Sequence, residues 1–140
     1  IWRYIMKKFS VMLLANCFLL LSFSVNAGEF ANLHKTVMEA RDSLVTLVKN
    51  KSKRGPVQQK LVKDTANAVS AMIATMHAPA GKEAQFKEMA QNWAAFKKTR
   101  EEELVPLILA GKQKEGKKIA MGIQKVRLGK VLKLCKELDK

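Results

Sequence analysis

Cysteine is nearly missing from this chain: 140 residues hold two, Cys17 and Cys135. Cys17 falls in an apolar leader, so the remainder carries a single thiol and cannot form an internal disulfide; its stability must come from packing. The sequence contains no C-x-x-C-H, which excludes covalently attached haem. Aromatic residues make up only 6% of the chain, leaving no platform on which bases could stack. Nucleic acid is therefore set aside as a partner, despite a formal charge of +14. Histidine is scarce as well, limited to His34 and His77. Neither lies in a nucleophile motif and there is no glycine-rich phosphate loop, so the chain is read as non-enzymatic.

Basic residues, by contrast, are plentiful, with 26 Lys and Arg against 12 Asp and Glu. Only Arg3, Lys7 and Lys8 of the 26 precede residue 28. The rest of the chain thus keeps a strong positive excess, which favours an anionic ligand or an acidic protein as partner, or leaves a solvated basic surface.

The start has the pattern of a bacterial secretory signal. Met6-Lys7-Lys8 is followed by an apolar run over residues 9–25 and by Val25-Asn26-Ala27, a small residue at the expected cut. This predicts a signal peptide over residues 1–27, with residues 1–5 upstream of the true start, and a domain over residues 28–140 exported to the periplasm. An uncleaved membrane anchor and a lipid-modified Cys17 are the alternatives.

After residue 28 the apolar residues recur at helical spacing. Phe30, Leu33, Val37, Ala40, Leu44 and Leu47 predict a first helix, broken by the apolar-free stretch 50–55. Pro56 suits the first turn of a second helix, whose apolar arc is Leu61, Val62, Thr65, Ala68, Val69, Met72, Ile73 and Met76. Asn67, Ser70 and Ala74 take its far side. Pro79 and Gly81 end that segment. A third helix runs over residues 83–110 with Phe86, Met89, Trp93, Phe96, Arg100, Leu104 and Leu107 on one face. Pro106 predicts a kink near Glu102. Gly111 fits a left-handed turn into a fourth helix, whose arc is Ile119, Ile123, Val126, Val131, Leu134, Cys135 and Leu138.

Four amphipathic helices with short joints and no strand signal predict an all-α, antiparallel up-down-up-down four-helix bundle. That connectivity brings His34, Met76, His77, Met89 and Cys135 to one pole. Imidazole and thioether are ligands that haem iron or copper would accept, which makes His34 and Met76 candidate metal ligands. Against this, methionines at helical spacing fill cores, and Cys135 lies on an apolar face where it serves as a small hydrophobe. Arg100 stands within an otherwise apolar stripe. Burying an unpaired charge is costly, so its guanidinium is expected to reach the rim, the alternative being that it points inward to a carboxylate or a bound anion.

The segment Leu109-Ala110-Gly111-Lys112-Gln113-Lys114-Glu115-Gly116, with Ile119-Ala120, Ile123 and Arg127, resembles the turn and last helix of the soluble periplasmic cytochrome b562 family. The resemblance implies a four-helix bundle holding haem b without covalent attachment, and electron transfer as its role. In that family the ligands are a methionine early in the first helix and a histidine late in the last. The methionine position falls near His34. Arg127 matches an arginine of the last helix, but the residue four later, where the histidine is expected, is Val131. The resemblance thus implies a degenerate site of His34 with Met76 or Cys135, beside Arg127. Trp93, Phe96, Arg100 and Gly111 also resemble the later half of chemoreceptor ligand-sensing bundles, implying a ligand-binding or sensing module.

Overall fold

The computed structural model describes residues 28–140, so the leader and Cys17 lie outside the described residues. Among the described residues the chain is helical without strands. Four helical arms follow one another: α1 (Glu29–Lys49), α2 (Pro56–Thr75), then α3 (Glu83–Thr99) running through a π turn (Arg100–Leu104) into α4 (Val105–Leu109), and finally α5 (Gln113–Met121) with α6 (Ile123–Leu138).

The first arm forms as its spacing dictates, and Phe30, Leu33, Val37, Ala40, Leu44 and Leu47 are all buried. Its C-terminal carbonyls would otherwise lack donors. Arg54 supplies them: its Nε donates to Leu47 O at 3.0 Å and its Nη2 to Val48 O at 2.8 Å. The same guanidinium donates to Ile108 O at 3.1 Å and to Gln113 Oε1, joining the α1–α2 connection to the α4–α5 connection. Pro56 opens α2, where its missing N–H is no loss.

α2 packs along α1 and only lightly against α3. Its buried stripe is accordingly narrower than the sequence arc and is turned about the axis. Val62, Ala66 and Val69 are buried, whereas Leu61 and Ala68 are exposed. Ser70, expected on the far side, is half-buried and accepts a hydrogen bond from Trp93 Nε1 at 2.9 Å.

In the third arm the effect of Pro106 appears as a wide turn rather than a simple break. Val105 N–H bonds to Arg100 O, five residues back, in the π turn just before the proline. The extra residue displaces the stripe by one position, so Ile108 is buried where Leu107 was expected. Two side chains of α6 reach the carbonyls that precede this turn: Gln124 Nε2 donates to Phe96 O at 2.8 Å and Arg127 Nη1 to Ala95 O at 3.3 Å.

Gly111 adopts φ 78°, the left-handed turn expected of it. Gly116 then lets α5 approach α4 closely; a Cβ there would lie 2.5 Å from Ile108 Cδ1. The fourth arm is not one helix. At Gly122 the backbone turns to φ −92° and ψ −113°, and a Cβ would meet Lys118 O at 2.9 Å. The break resets the helical phase, so Ile123 and Val126, expected in the core, face outward, while Gln124 is buried.

The core consists of two apolar clusters. One gathers Phe30, Leu33, Val37, Val69, Met76, Met89, Trp93, Val131, Leu134 and Cys135; the other gathers Leu44, Leu47, Val62, Leu104 and Ile108. Along α1, α2 and α3 the boundary falls at Ser43, Thr65 and Arg100. Ser43 Oγ and Thr65 Oγ1 lie 2.9 Å apart there, and Ser43 Oγ donates to Ala40 O at 2.8 Å. Arg100 crosses the same layer and is fully buried, which corrects the expectation of a rim position. Its Nη1 donates to Ala40 O at 2.8 Å and its Nη2 to Val62 O at 2.5 Å, with Ser43 Oγ at 3.4 Å. A planar fork can serve carbonyls on two helices at once, and those bonds offset the cost of burying the charge. Burial still pushes the guanidinium down to about 10, with Glu101 acting weakly the other way.

Candidate functional site

Two places in this fold bear on function: the sulfur-rich pole and the seam between α2 and α3. At the pole, Met76, Met89 and Cys135 lie in the same apolar cluster, and Cys135 Sγ is 3.5 Å from Met89 Sδ. Desolvation pushes the Cys135 thiol up to about 12, with Asp139 adding to the effect, so the sulfur stays protonated and a poor nucleophile. His34 is half-buried on α1 beside Leu33, and His77 is exposed after the end of α2. Among the described residues no hydrogen bond or ion pair joins His34 to Met76 or Cys135.

The fit of these residues to haem can be judged from their packing. A macrocycle needs a slot between helices with a ligand on each side. Here Phe30, Leu33, Met89, Leu134 and Cys135 are each no more than 3% exposed, so a planar ring would have to displace them. Val131, where the resemblance would put a histidine, is part of the same packing. Arg127 is engaged with α3, donating to Thr99 Oγ1 at 2.8 Å and to Ala95 O. As packed, the set does not make a haem site. Among the described residues no group of three or more His, Cys, Asp or Glu is placed to hold a metal ion.

The seam is different. Because α2 touches α3 only lightly, a groove of about 420 Å³ opens between them. Ile73 and Ala74 of α2 and Ala90 and Ala94 of α3 give it an apolar floor. Trp93 forms part of the wall, its indole N–H fixed on Ser70 Oγ and its ring 5.4 Å from that of Phe96. Lys97, Lys98, Glu101 and Glu102 stand at the end nearest the π turn. Lys97 pairs with Glu101 at 3.0 Å, so this end is polar with its charges nearly balanced. An apolar trough ending in paired charges accommodates a small amphipathic molecule better than a bare ion.

Sequence reasoning placed Trp93 in the core, where it is buried, but missed this site because it assigned Ser70 and Ala74 to the far side of α2. A signal was present in the alanines: Ala74, Ala90 and Ala94 put small side chains on facing helices, where nothing large fills the gap. Comparison of the chain with protein-family models, with curated proteins and with solved structures finds no match.

Proposed function

We propose that this chain is an exported, non-enzymatic binding module of the periplasm, an up-down-up-down bundle that takes a small amphipathic ligand in the groove between α2 and α3. The observation that carries the reading is the alanine-floored groove of about 420 Å³, with an anchored indole beside it and charges at one end. Its volume is within the range of small-molecule sites. The topology draws support from contacts at the ends of the arms. Asp139 Oδ1 accepts from Ala31 N–H at 3.3 Å, and Lys82 Nζ donates to Glu137 O at 2.9 Å. These join the starts of α1 and α3 to the end of α6.

In this reading the ligand's apolar part lies on Ile73, Ala74, Ala90 and Ala94, and its polar head meets Lys98 and the Lys97–Glu101 pair. In a chain starting at residue 28, which lacks Trp2, the Trp93 emission reports occupancy directly. Titration with a medium-chain alkyl carboxylate and with an alkylphosphocholine of equal chain length should give a saturable change in fluorescence. Trp93→Phe removes the reporter, while Ala94→Phe fills the groove and should abolish saturation. The proposal fails if neither amphiphile produces a saturable change, or if Ala94→Phe responds as the parent does.

A further inference from the structure

We infer that the outward face of α5 and α6 around Gly122 docks onto the surface of a membrane rich in anionic phospholipid. The break at Gly122 turns three aliphatic side chains to solvent: Met121 is 69% exposed, Val126 68% and Ile123 48%. They do not stand alone. Lys117 and Lys118 precede Met121 by four and three residues, one turn back on the same face of α5, and Lys114 lies one turn further. On α6, Lys125 adjoins Val126, and Lys133 follows on the outward side.

These lysines are exposed, and Lys114, Lys117, Lys118 and Lys125 take part in none of the salt bridges among the described residues. On α6 itself, by contrast, Lys130 pairs with Glu88 at 2.8 Å and Lys133 with Glu137 at 3.8 Å. Glu115 is the sole carboxylate among residues 112–136. Around Gly122, from residue 116 to 136, the arm itself carries no carboxylate to offset Lys117, Lys118 and Lys125.

Charge complementarity selects the occupant. Lysines distributed along two successive helices, with α6 alone about 24 Å long, match a continuous negative plane better than a point charge. Aliphatic side chains set among lysines are suited to enter the headgroup layer while the ammonium groups remain at phosphate level. The contact of this face is with the surface; none of the described helices is long and apolar enough to cross a bilayer.

The test is co-sedimentation of the full chain with vesicles of phosphatidylcholine containing roughly a third phosphatidylglycerol, against pure phosphatidylcholine. Residues 1–27 are present in every sample, so the readout is the difference between lipids and between variants. Lys117→Gln/Lys118→Gln/Lys125→Gln should weaken partitioning by about fivefold per lysine. Met121→Ser/Ile123→Ser/Val126→Ser should weaken it separately, and all six positions are exposed, so circular dichroism should stay unchanged. Binding that is equal for both lipids, or unaltered in either triple variant, overturns the inference. Competition by poly-glutamate that is equally strong for the parent and the serine variant would assign the face to an acidic protein and overturn it as well.

Discussion

Replacing Arg100 with lysine should destabilise the protein more than replacing it with methionine, even though lysine keeps the charge. The lowering of Arg100 from 12.5 to about 10 corresponds to a burial cost of about 3 kcal/mol. Opposing it are two short charge-assisted bonds, Nη1 to Ala40 O and Nη2 to Val62 O, each contributing about 1.5 to 3 kcal/mol. Together the bonds come to about 3 to 6 kcal/mol, so at most about 3 kcal/mol is left in the arginine's favour, and the apolar burial that a methionine adds opposes that remainder. Methionine removes the cost and the bonds together and keeps most of the volume. Ala40 O also retains the Ser43 hydroxyl as a donor at 2.8 Å. The expected change for Arg100→Met is therefore within about 1 kcal/mol. Lysine leaves a cation in the same layer, but its single ammonium on a flexible stem cannot bridge carbonyls of α1 and α2 as the fork does. Losing one bond while keeping the burial cost should remove about 2 to 3 kcal/mol. Urea unfolding followed by circular dichroism measures the difference as a shift in midpoint at constant slope. A lysine variant as stable as the parent would refute the reasoning, since it would mean that the charge is not committed to the two carbonyls.

Other outcomes follow from the same packing. Gly116→Ala should cost about 1 to 3 kcal/mol, because its Cβ would meet Ile108 Cδ1 at 2.5 Å; Ile108→Val deletes that methyl, and the double variant should recover part of the loss in the same unfolding assay. The Cys135 thiol is raised from 9.0 to about 12. Between those values the unfolded chain ionises first, so stability should fall by about 1.4 kcal/mol per pH unit from this group as pH rises through that window. Cys135→Ala should lose that slope, a comparison read from unfolding curves at several alkaline pH values. Haem added to the purified protein should give no shifted Soret band; a band that disappears in His34→Ala would show that the pole opens to admit the ring.

Helix ends were legible wherever local chemistry fixes them. Pro56 at the start of α2, the left-handed Gly111, and the apolar-free joint before Pro56 act within a few residues of themselves, so no tertiary knowledge is needed. The apolar stripe of α1 was legible too, because that helix keeps one uninterrupted phase. Two of the failures share one cause, a change of phase that periodicity cannot see. The π turn moves burial from Leu107 to Ile108, and the Gly122 break exchanges Ile123 and Val126 for Gln124. Arg100 was misplaced for another reason. Its burial depends on acceptors from α1 and α2, some forty to sixty residues away in the chain. The groove was hidden because it exists only through the light contact of α2 with α3, a property of the assembled fold.

Arg54 holds four acceptors drawn from α1, α4 and α5, so the two connections at that end behave as one rivet. The α2–α3 seam has no such fastening, with Trp93 on Ser70 as its chief polar contact. Beyond Arg100, which ties the third arm to Ala40 of α1 and Val62 of α2, α2 is free to part from α3 at the seam without disturbing the end that Arg54 secures. A guest in the groove would meet a wall that yields on one side and is anchored on the other.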